Sequence, residues 1–361
     1  MGRSSRGLLS SPSRPRRRPA HALTAGRRRR RSGVGLVALA LVLAAGVAVG
    51  VVALRGEDVG ASNDRVARTT IERLTTPVTD RPPTAAPPAV GKLPAPAGAA
   101  RVDLSRPALL STLHLHPAPA AGLAFDLDDG SVLWRRGATR VRPIASLTKL
   151  MTALLAIESF TPRSLVRITP AADQVPETHM GGLQPGRRVR AEVLLKGLMI
   201  ASGNDAAVAL AIGGAGSVKA WVARMNARAR LLGLTCTHYV DPDGLDPRNR
   251  SCPRDIAALA MRVMADPFLR WIADHAAERV WTGYGKKITL HTTNHLLRDH
   301  YPGAIGLKTG FTFRAGHCLV AIIRRGSRRI GIVLLGSKVD AFVDARKVAR
   351  AAALAGVIAP A

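Results

Sequence analysis

The chain is poor in aromatic residues and in cysteine, and both shortages exclude classes of protein. Phe, Trp and Tyr together make up 4% of the 361 residues, and no stretch interleaves them with Lys or Arg. Proteins that bind single-stranded nucleic acid need aromatic platforms beside their cations, so no nucleic-acid partner is expected. The three cysteines form no CxxC motif and no Cys/His cluster with the spacing of a metal site. A bound metal is therefore not expected either.

Acidic residues are scarce as well, and this leaves a large positive charge. The 24 Asp and Glu residues face 53 Lys and Arg residues, which gives a formal charge of +29. Eleven arginines fall within residues 1–31 and residues 32–54 carry no charge, so residues 55–361 retain +18. A surface this basic favours an anionic partner, such as a membrane surface or an anionic polymer.

The uncharged residues 32–54 form a continuous apolar run that directly follows the arginines of residues 27–31. At about 1.5 Å per residue in a helix, this run is long enough to cross a bilayer core of about 30 Å. The positive-inside rule then predicts a basic cytoplasmic tail (1–31), a single transmembrane anchor (32–54) and an extracytoplasmic remainder. A cleaved signal peptide is the alternative, although its apolar region is usually only about 7–15 residues long.

The remainder divides by composition at about residue 118. Residues 55–118 mix proline with Ala, Thr and Gly, which predicts a disordered linker. Residues 119–361 carry the periodicities of a folded domain. Hairpins are predicted near both of its ends. Amphipathic helices are predicted between the hairpins, over 146–158, 191–211, 217–232 and 255–265, and a last helix follows the second hairpin, over 340–354. This order indicates an α+β fold with one antiparallel sheet, helices packed on it and a helical lobe.

The first motif that carries chemistry is Ser146-Leu147-Thr148-Lys149. A Ser and a Lys three residues apart at the start of a helix lie on the same face. A serine hydroxyl becomes a good nucleophile when a neighbouring base takes its proton. A lysine can be that base if burial or nearby cations lower its pKa. The motif by itself also fits an N-capping serine followed by a solvated lysine.

Two further motifs strengthen the catalytic interpretation. Ser202-Gly203-Asn204 interrupts a predicted helix and would present a hydroxyl and an amide, although a plain helix–helix turn is the alternative. Lys308-Thr309-Gly310 precedes the C-terminal hairpin and offers a positive charge beside a glycine that a ligand can approach closely.

The three motifs, in this order, are the signature of penicillin-binding proteins and class A β-lactamases. Their flanking residues, over 143–152, 201–207 and 306–312, closely resemble the D-alanyl-D-alanine carboxypeptidase family, the low-molecular-mass penicillin-binding proteins. The resemblance covers about residues 120–355. It implies a penicillin-binding-protein/β-lactamase-like transpeptidase fold, with the active-site cleft between the sheet and the helical lobe, preceded here by the N-terminal transmembrane helix.

The resemblance also implies catalytic roles. Ser146 would attack the D-Ala-D-Ala carbonyl and Lys149 would take its proton. Ser202 would pass a proton to the leaving D-Ala. The backbone N–H groups of Ser146 and Phe311 would form the oxyanion hole, and water would then hydrolyse the acyl-enzyme without a cofactor.

Substrate binding is implied for the remaining motif residues. Asn204 would hold the substrate amide, Lys308 would complete the proton network and Thr309 would bind the terminal carboxylate. Gly310 would let the substrate approach the strand. Family members often carry an arginine at the position that Ala341 occupies here, before Phe342, so one contact to the carboxylate is expected to be missing.

The sequence therefore predicts a serine-type D-Ala-D-Ala carboxypeptidase that removes the terminal D-Ala from peptidoglycan stem peptides, binds β-lactam antibiotics and contacts anionic cell-wall polymers. A β-lactamase is one alternative, and it would need a deacylating glutamate, for which Glu177 is the nearest candidate. A non-catalytic wall-binding protein is the other, although it would be expected to lack one of the motif residues. Preference for carboxypeptidase or endopeptidase cleavage stays open.

The predicted topology also bears on the cysteines. Cys236 and Cys252 bracket one loop and would lie outside the membrane, where a disulfide can persist. A disulfide between them is one of two open alternatives, free thiols being the other. Cys318 lies in an apolar run and is expected to be a buried thiol.

Overall fold

The computed structural model describes residues 102–285 and 287–360. The predicted cytoplasmic tail, the anchor and the linker up to residue 101 lie outside these residues. Within the described part of the chain, no single helix is both long and apolar enough to cross a membrane. One pair of helices, Asn204–Ala215 and Val218–Leu231, meets the length and composition limits only when joined across an 87° bend.

A five-stranded antiparallel sheet, in the order β2-β1-β11-β10-β9, forms the centre of the domain. The strands are β1 (Ala121–Asp126), β2 (Val132–Arg136), β9 (Ala304–Thr312), β10 (Gly316–Arg325) and β11 (Arg328–Ser337). The first strand pairs with the last, with Ala121 opposite Leu335 and Asp126 opposite Ile330. The two ends of the domain therefore close into one sheet, as the predicted hairpins indicated.

Apolar cores cover both faces of this sheet. Successive residues of β10 point to opposite faces: Val320 belongs to the larger core under the helical lobe, while Leu319 belongs to a smaller core under the C-terminal helix. A strand that is buried on both faces has a continuous apolar run rather than an alternating pattern. This explains why residues 318–323 and 330–335 show no polar alternation.

The helices form a lobe beside the sheet. The longer ones are α1 (Lys149–Ser159), α3 (Ala191–Met199), α4 (Asn204–Ala215), α5 (Val218–Leu231), α6 (Pro253–Ala265), α7 (Pro267–Ala273) and α9 (Ala341–Leu354), and the short ones are α2 (Pro170–Asp173) and α8 (His295–Arg298). The remaining strands form three small antiparallel pairs: β3 (Arg142–Pro143) with β6 (Arg250–Ser251), β4 (Leu165–Arg167) with β5 (Arg188–Arg190), and β7 (Ala277–Val280) with β8 (Ile288–His291). The predicted α+β arrangement is confirmed.

One predicted boundary is wrong. The linker was expected to extend to residue 118, but Val102, Leu110 and Leu115 are buried against the domain. The Leu110 amide donates to the Leu133 carbonyl at 2.6 Å, and the Trp134 indole donates to the Leu113 carbonyl at 3.1 Å. These apolar residues supply buried surface that offsets the entropy cost of ordering the segment, so the folded domain includes residues 102–118.

Cys236 and Cys252 form a disulfide, with their Cα atoms 5.6 Å apart. This decides between the two alternatives that the sequence left open. Cys318 is a free thiol and is buried on β10. Burial raises its pKa to about 11, in keeping with the predicted core position.

Candidate active site

Ser146 lies in a single 3-10 turn, Ala145–Thr148, which leads directly into α1. The predicted helix therefore starts with a tighter turn than expected. Ala145 before it adopts φ 47°, a left-handed conformation that costs a non-glycine residue about 1–3 kcal/mol. Burial of Ile144 and Ala145 holds this turn in place, and the half-buried Ser146 side chain faces a cleft.

Lys149 lies on the same face, one turn further on, and is completely buried. Its ammonium donates to Ser146 Oγ at 2.8 Å, to Asn204 Oδ1 at 2.7 Å and to the Asp243 carbonyl at 2.7 Å. These three acceptors use all three N–H donors. Burial lowers the pKa of Lys149 to about 8, and the charge of Asp243 opposes this fall. An amine with this pKa can take a proton from Ser146 near neutral pH.

Ser202 and Lys308 form a second pair beside the first. Ser202 occupies the turn between α3 and α4 with φ 60°, which aims its hydroxyl back toward β9. The Lys308 ammonium donates to Ser202 Oγ at 2.8 Å and to the Thr309 carbonyl at 2.9 Å. Burial, and then the nearby charge of Lys149, lowers the pKa of Lys308 well below its ordinary value. Proton transfer between Lys308 and Ser202 is therefore chemically accessible.

Asn204 connects the first pair to the wall of the cleft. It is buried at the start of α4, where its Oδ1 accepts from Lys149 and its Nδ2 donates to the Pro176 carbonyl at 2.9 Å. The amide is therefore held at both ends by the protein. Its predicted contact with the substrate amide stays a prediction.

Strand β9 passes directly beside the nucleophile. A Cβ added to Gly310 would lie 2.9 Å from the backbone nitrogen of Ser146, a distance that real Cβ contacts do not tolerate. Phe311 follows with 49% of its surface exposed. Because β9 is the last strand of the sheet, its outer edge is available to an extended peptide.

The cleft between β9 and the helical lobe has a volume of about 450 Å³. The predicted site residues on its surface are Ser146, Ser202, Asn204, Thr309, Gly310 and Phe311. Lys149 and Lys308 lie just beneath this surface, each bonded to one of the serines. The structure thus assembles all eight predicted residues around one cleft.

Several cleft residues were not assigned a role from the sequence. Thr293 places its hydroxyl 2.5 Å from the hydroxyl of Thr309, and His295 and His317 line the same wall. Thr293 lies between the second and third motifs, where the motif pattern gives no signal. Ala341 also lines the cleft and is 4% exposed, so the position where an arginine was expected does face the site.

A second contribution that the sequence did not reveal comes from the loop that carries Asp243 and Gly244. The Asp243 carbonyl accepts from Lys149, while burial, and then the charge of Asp241, raises the pKa of the Asp243 carboxyl to about 7. Gly244 has φ +95°, and a Cβ there would lie 2.0 Å from the Ala145 carbonyl oxygen. Only glycine lets this loop press against the turn that holds Ser146.

Among the residues that the structure describes, one group of potential ligands is close enough to hold a metal ion: Cys236, Cys252 and Asp255. Both sulfur atoms are consumed by the disulfide. The group therefore offers no thiolate to a metal.

Comparison with known proteins identifies the family. The sequence model that describes D-alanyl-D-alanine carboxypeptidases matches residues 115–339. The chain belongs to the D-alanyl-D-alanine carboxypeptidase family. The predicted serine-type hydrolase of this family is confirmed, and so is its kinship with penicillin-binding proteins.

Named relatives show the extent of the likeness. The D-alanyl-D-alanine carboxypeptidase DacB2 of Mycobacterium tuberculosis is 36% identical over 218 residues, which cover 59% of this chain and 73% of DacB2. DacF of Bacillus subtilis, a D-alanyl-D-alanine carboxypeptidase, is 33% identical over 248 residues, and the match spans 62% of its length. The crystal structure of penicillin-binding protein 6B from Escherichia coli superposes with a TM-score of 0.62 at 32% identity, covering 68% of this chain and 81% of that one.

Proposed function

We propose that this protein is a membrane-anchored serine D-Ala-D-Ala carboxypeptidase that releases the terminal D-Ala of peptidoglycan stem peptides. The observation that carries the proposal is the contact of 2.8 Å between the buried Lys149 amine and Ser146 Oγ, at the edge of a cleft that an extended peptide can enter. A hydroxyl and an amine of depressed pKa, in contact, form an activated nucleophile.

Acylation begins when Ser146 Oγ attacks the carbonyl carbon of the penultimate D-Ala. Lys149 takes the hydroxyl proton, and the oxyanion forms near the backbone N–H groups of Ser146 and Phe311. When the C–N bond breaks, the leaving D-Ala amine receives a proton from Ser202. Lys308, bonded to Ser202 at 2.8 Å, restores that proton. The products of this step are free D-Ala and an ester on Ser146.

Deacylation reverses the proton movements with water in place of the peptide amine. Water attacks the ester carbonyl and loses a proton through Ser202 to Lys308, which gave up a proton during acylation. Ser146 Oγ leaves and regains its proton from Lys149, which frees the shortened stem peptide. Every proton transfer between side chains runs within the Lys149–Ser146 pair or the Lys308–Ser202 pair, and the members of each pair are in contact. These side chains therefore suffice as the acids and bases of the mechanism.

The hydroxyls of Thr309 and Thr293 form a polar wall next to Lys308. This wall is the proposed site for the free carboxylate of the substrate. The Thr293 and Thr309 oxygens lie 2.5 Å apart and Lys308 lies behind them. A buried cation with two hydroxyls suits a carboxylate, because charge-assisted hydrogen bonds are the stronger kind.

The proposed location is the outer face of the cell membrane, with residues 32–54 as the anchor and residues 1–31 in the cytoplasm. The disulfide between Cys236 and Cys252 supports an extracytoplasmic catalytic domain, since disulfides persist mainly in oxidising compartments. The charge of +18 after residue 54 supports contact with anionic cell-wall polymers.

A labelled penicillin and a synthetic peptide that ends in D-Ala-D-Ala test the activity together. We expect a covalent adduct on Ser146 that decays slowly, and release of free D-Ala from the peptide. Ser146→Ala should abolish both signals while the far-ultraviolet circular dichroism stays unchanged. An adduct mapped to any other residue would overturn the proposal.

The position of Glu177 favours a second candidate, a β-lactamase. Glu177 lines the cleft with φ 67° and its charge acts on Lys149. A carboxylate there is placed to activate water against an acyl-enzyme. Rapid turnover of the penicillin adduct in the wild type, lost in Glu177→Gln, would establish this second function. A slow adduct in both proteins supports the carboxypeptidase alone.

A further inference from the structure

A second groove, of about 400 Å³, lies on the helical lobe and shares no lining residue with the catalytic cleft. Its walls are β5 and the first turns of α3 on one side, and the end of β7 with the turn that follows it on the other. Four basic side chains and one acidic side chain line it: Arg188, Arg190, Lys196, Arg279 and Glu192. The groove therefore has a strong excess of positive charge.

Two of these cations are available to a ligand. Lys196 pairs with Glu278 at 2.8 Å and Arg190 contacts Glu192 at 3.4 Å. In the described residues, Arg188 and Arg279 have no carboxylate within ion-pairing distance. Both are exposed. Arg188 lies on β5 and Arg279 on β7, so the two guanidinium groups belong to opposite walls of the groove.

Trp281 adds an aromatic surface to the β7 side of the groove. It is 54% exposed. Its indole N–H donates to the Gly285 carbonyl at 3.3 Å, which orients the ring. Trp281 follows Arg279 by two residues, and both are exposed. A flat apolar ring in a groove that also carries two exposed arginines suits a ligand that alternates anionic groups with sugar rings.

The groove is connected to the catalytic centre by rigid elements. Helix α3 starts at the groove and ends at Met199, three residues before Ser202. Its nine residues span about 13 Å at 1.5 Å per residue. Strand β8, the partner of β7, leads to Thr293 in the cleft. A polymer held in the groove would therefore lie on the order of 1–2 nm from a peptide bound in the cleft.

We propose that this groove is a binding site for a phosphate-bearing glycan, with phosphates on Arg188 and Arg279 and a sugar ring on Trp281. The site would hold the domain on an anionic polymer of the wall while the cleft works on a neighbouring stem peptide. The proposal rests on the extracytoplasmic location of the domain and is independent of the catalytic chemistry.

The test uses the full chain in detergent and four probes: a glucosylated poly(glycerol phosphate) oligomer, the unsubstituted oligomer, neutral dextran and oligothymidylate. Binding is measured by calorimetry from about 50 to about 300 mM salt, a range over which counterion release changes the affinity measurably. We expect the glucosylated oligomer to bind best and dextran not to bind. Arg188→Gln with Arg279→Gln should weaken oligomer binding at least tenfold. The salt slope should also fall by about 0.7 to 0.9 for each arginine–phosphate pair that the substitutions remove.

Trp281→Ala should remove the preference for the glucosylated oligomer over the unsubstituted one. The matched control is Arg324→Gln with Arg350→Gln, which removes the same charge from exposed positions outside the groove and should leave binding unchanged. Equal loss in this control would overturn the site in favour of diffuse charge. Wild-type affinity in the Arg188/Arg279 variant, or equal affinity for oligothymidylate, would overturn it as well.

Penicillin labelling of Ser146 separates this proposal from the catalytic one. Every groove variant should label at the wild-type rate, which shows that its fold and cleft are intact. A wild-type chain that binds the oligomer but does not label would sustain the groove and contradict the carboxypeptidase.

Discussion

A Cβ atom on Gly310 would lie 2.9 Å from the backbone nitrogen of Ser146 and 3.1 Å from Ala145 Cβ. The third motif and the first are thus in direct backbone contact, although they are far apart in the chain. This contact fixes the distance between the nucleophile and the strand that the substrate is proposed to join. It also makes the glycine a steric requirement.

Gly310→Ala should therefore slow acylation by penicillin at least tenfold, because the added methyl must push β9 away from Ser146. Overpacking itself costs stability, about 1–3 kcal/mol. Gly331→Ala is the control: a Cβ there would be crowded even more, at 2.3 Å from the Phe125 ring inside the sheet, but it does not touch the nucleophile. Equal acylation rates in the two variants, once both are shown to be folded, would contradict this argument.

Lys308→Ala should raise the activation free energy of acylation by about 2–5 kcal/mol, since it leaves the buried polar partners of Lys308 without a charge. Even the lower figure corresponds to a roughly thirtyfold slower reaction. Lys308→Arg should fail too, because a planar guanidinium cannot replace an ammonium that is 1% exposed and bonded to Ser202 and the Thr309 carbonyl. Lys338 is exposed and does not line the cleft, so Lys338→Ala should acylate at the wild-type rate.

The acylation rate should rise with pH through an apparent pKa near 8, because the buried Lys149 must lose its proton to act as the base. Below that pH the rate should fall by up to about tenfold per pH unit. Asp243→Asn removes the charge that raises the pKa of Lys149, so the rising limb should move to lower pH. Asp129→Asn, at an exposed turn, is the control. Stopped-flow acylation between about pH 6 and 9 gives the profile, and a limb that stays in place in Asp243→Asn would contradict the coupling.

Removal of the disulfide by Cys236→Ser with Cys252→Ser should lower the free energy of unfolding by about 3 kcal/mol, the chain-entropy value for a loop of this size. Acylation should slow as well, because the bridged loop carries the Asp243 carbonyl that accepts from Lys149. Thermal unfolding and labelling rates measure the two effects. Reductant should lower the stability and the acylation rate of the wild type and should change neither quantity in the double variant.

Ala341→Arg should lower KM for peptides that end in a free D-Ala carboxylate and leave amidated peptides unaffected. Ala341 lines the cleft at the start of α9, on the same surface as Thr309, so a guanidinium there can reach the substrate. Ala341→Gln, of similar length but uncharged, controls for crowding at this buried position. Equal effects of the arginine on free and amidated peptides would show that residue 341 does not face the carboxylate.

Local sequence patterns were enough to predict the family, the three motifs and most of the regular structure. Spacing settled these features because each depends on residues only a few positions apart: Ser146 and Lys149 share a face, and the apolar runs of β10 and β11 are local. The cysteine pairing was left open, because the sequence does not show whether two cysteines at the ends of a loop meet.

The chemistry of the site and the start of the domain depend on contacts between distant parts of the chain. The pKa of Lys149 depends on complete burial and on the charge of Asp243, 94 residues further along the chain. Lys308 meets Ser202 across 106 residues. The burial of Val102 and Leu110 depends on a sheet formed later in the sequence. Desolvation is set by everything that packs around a group, and no local pattern contains that information.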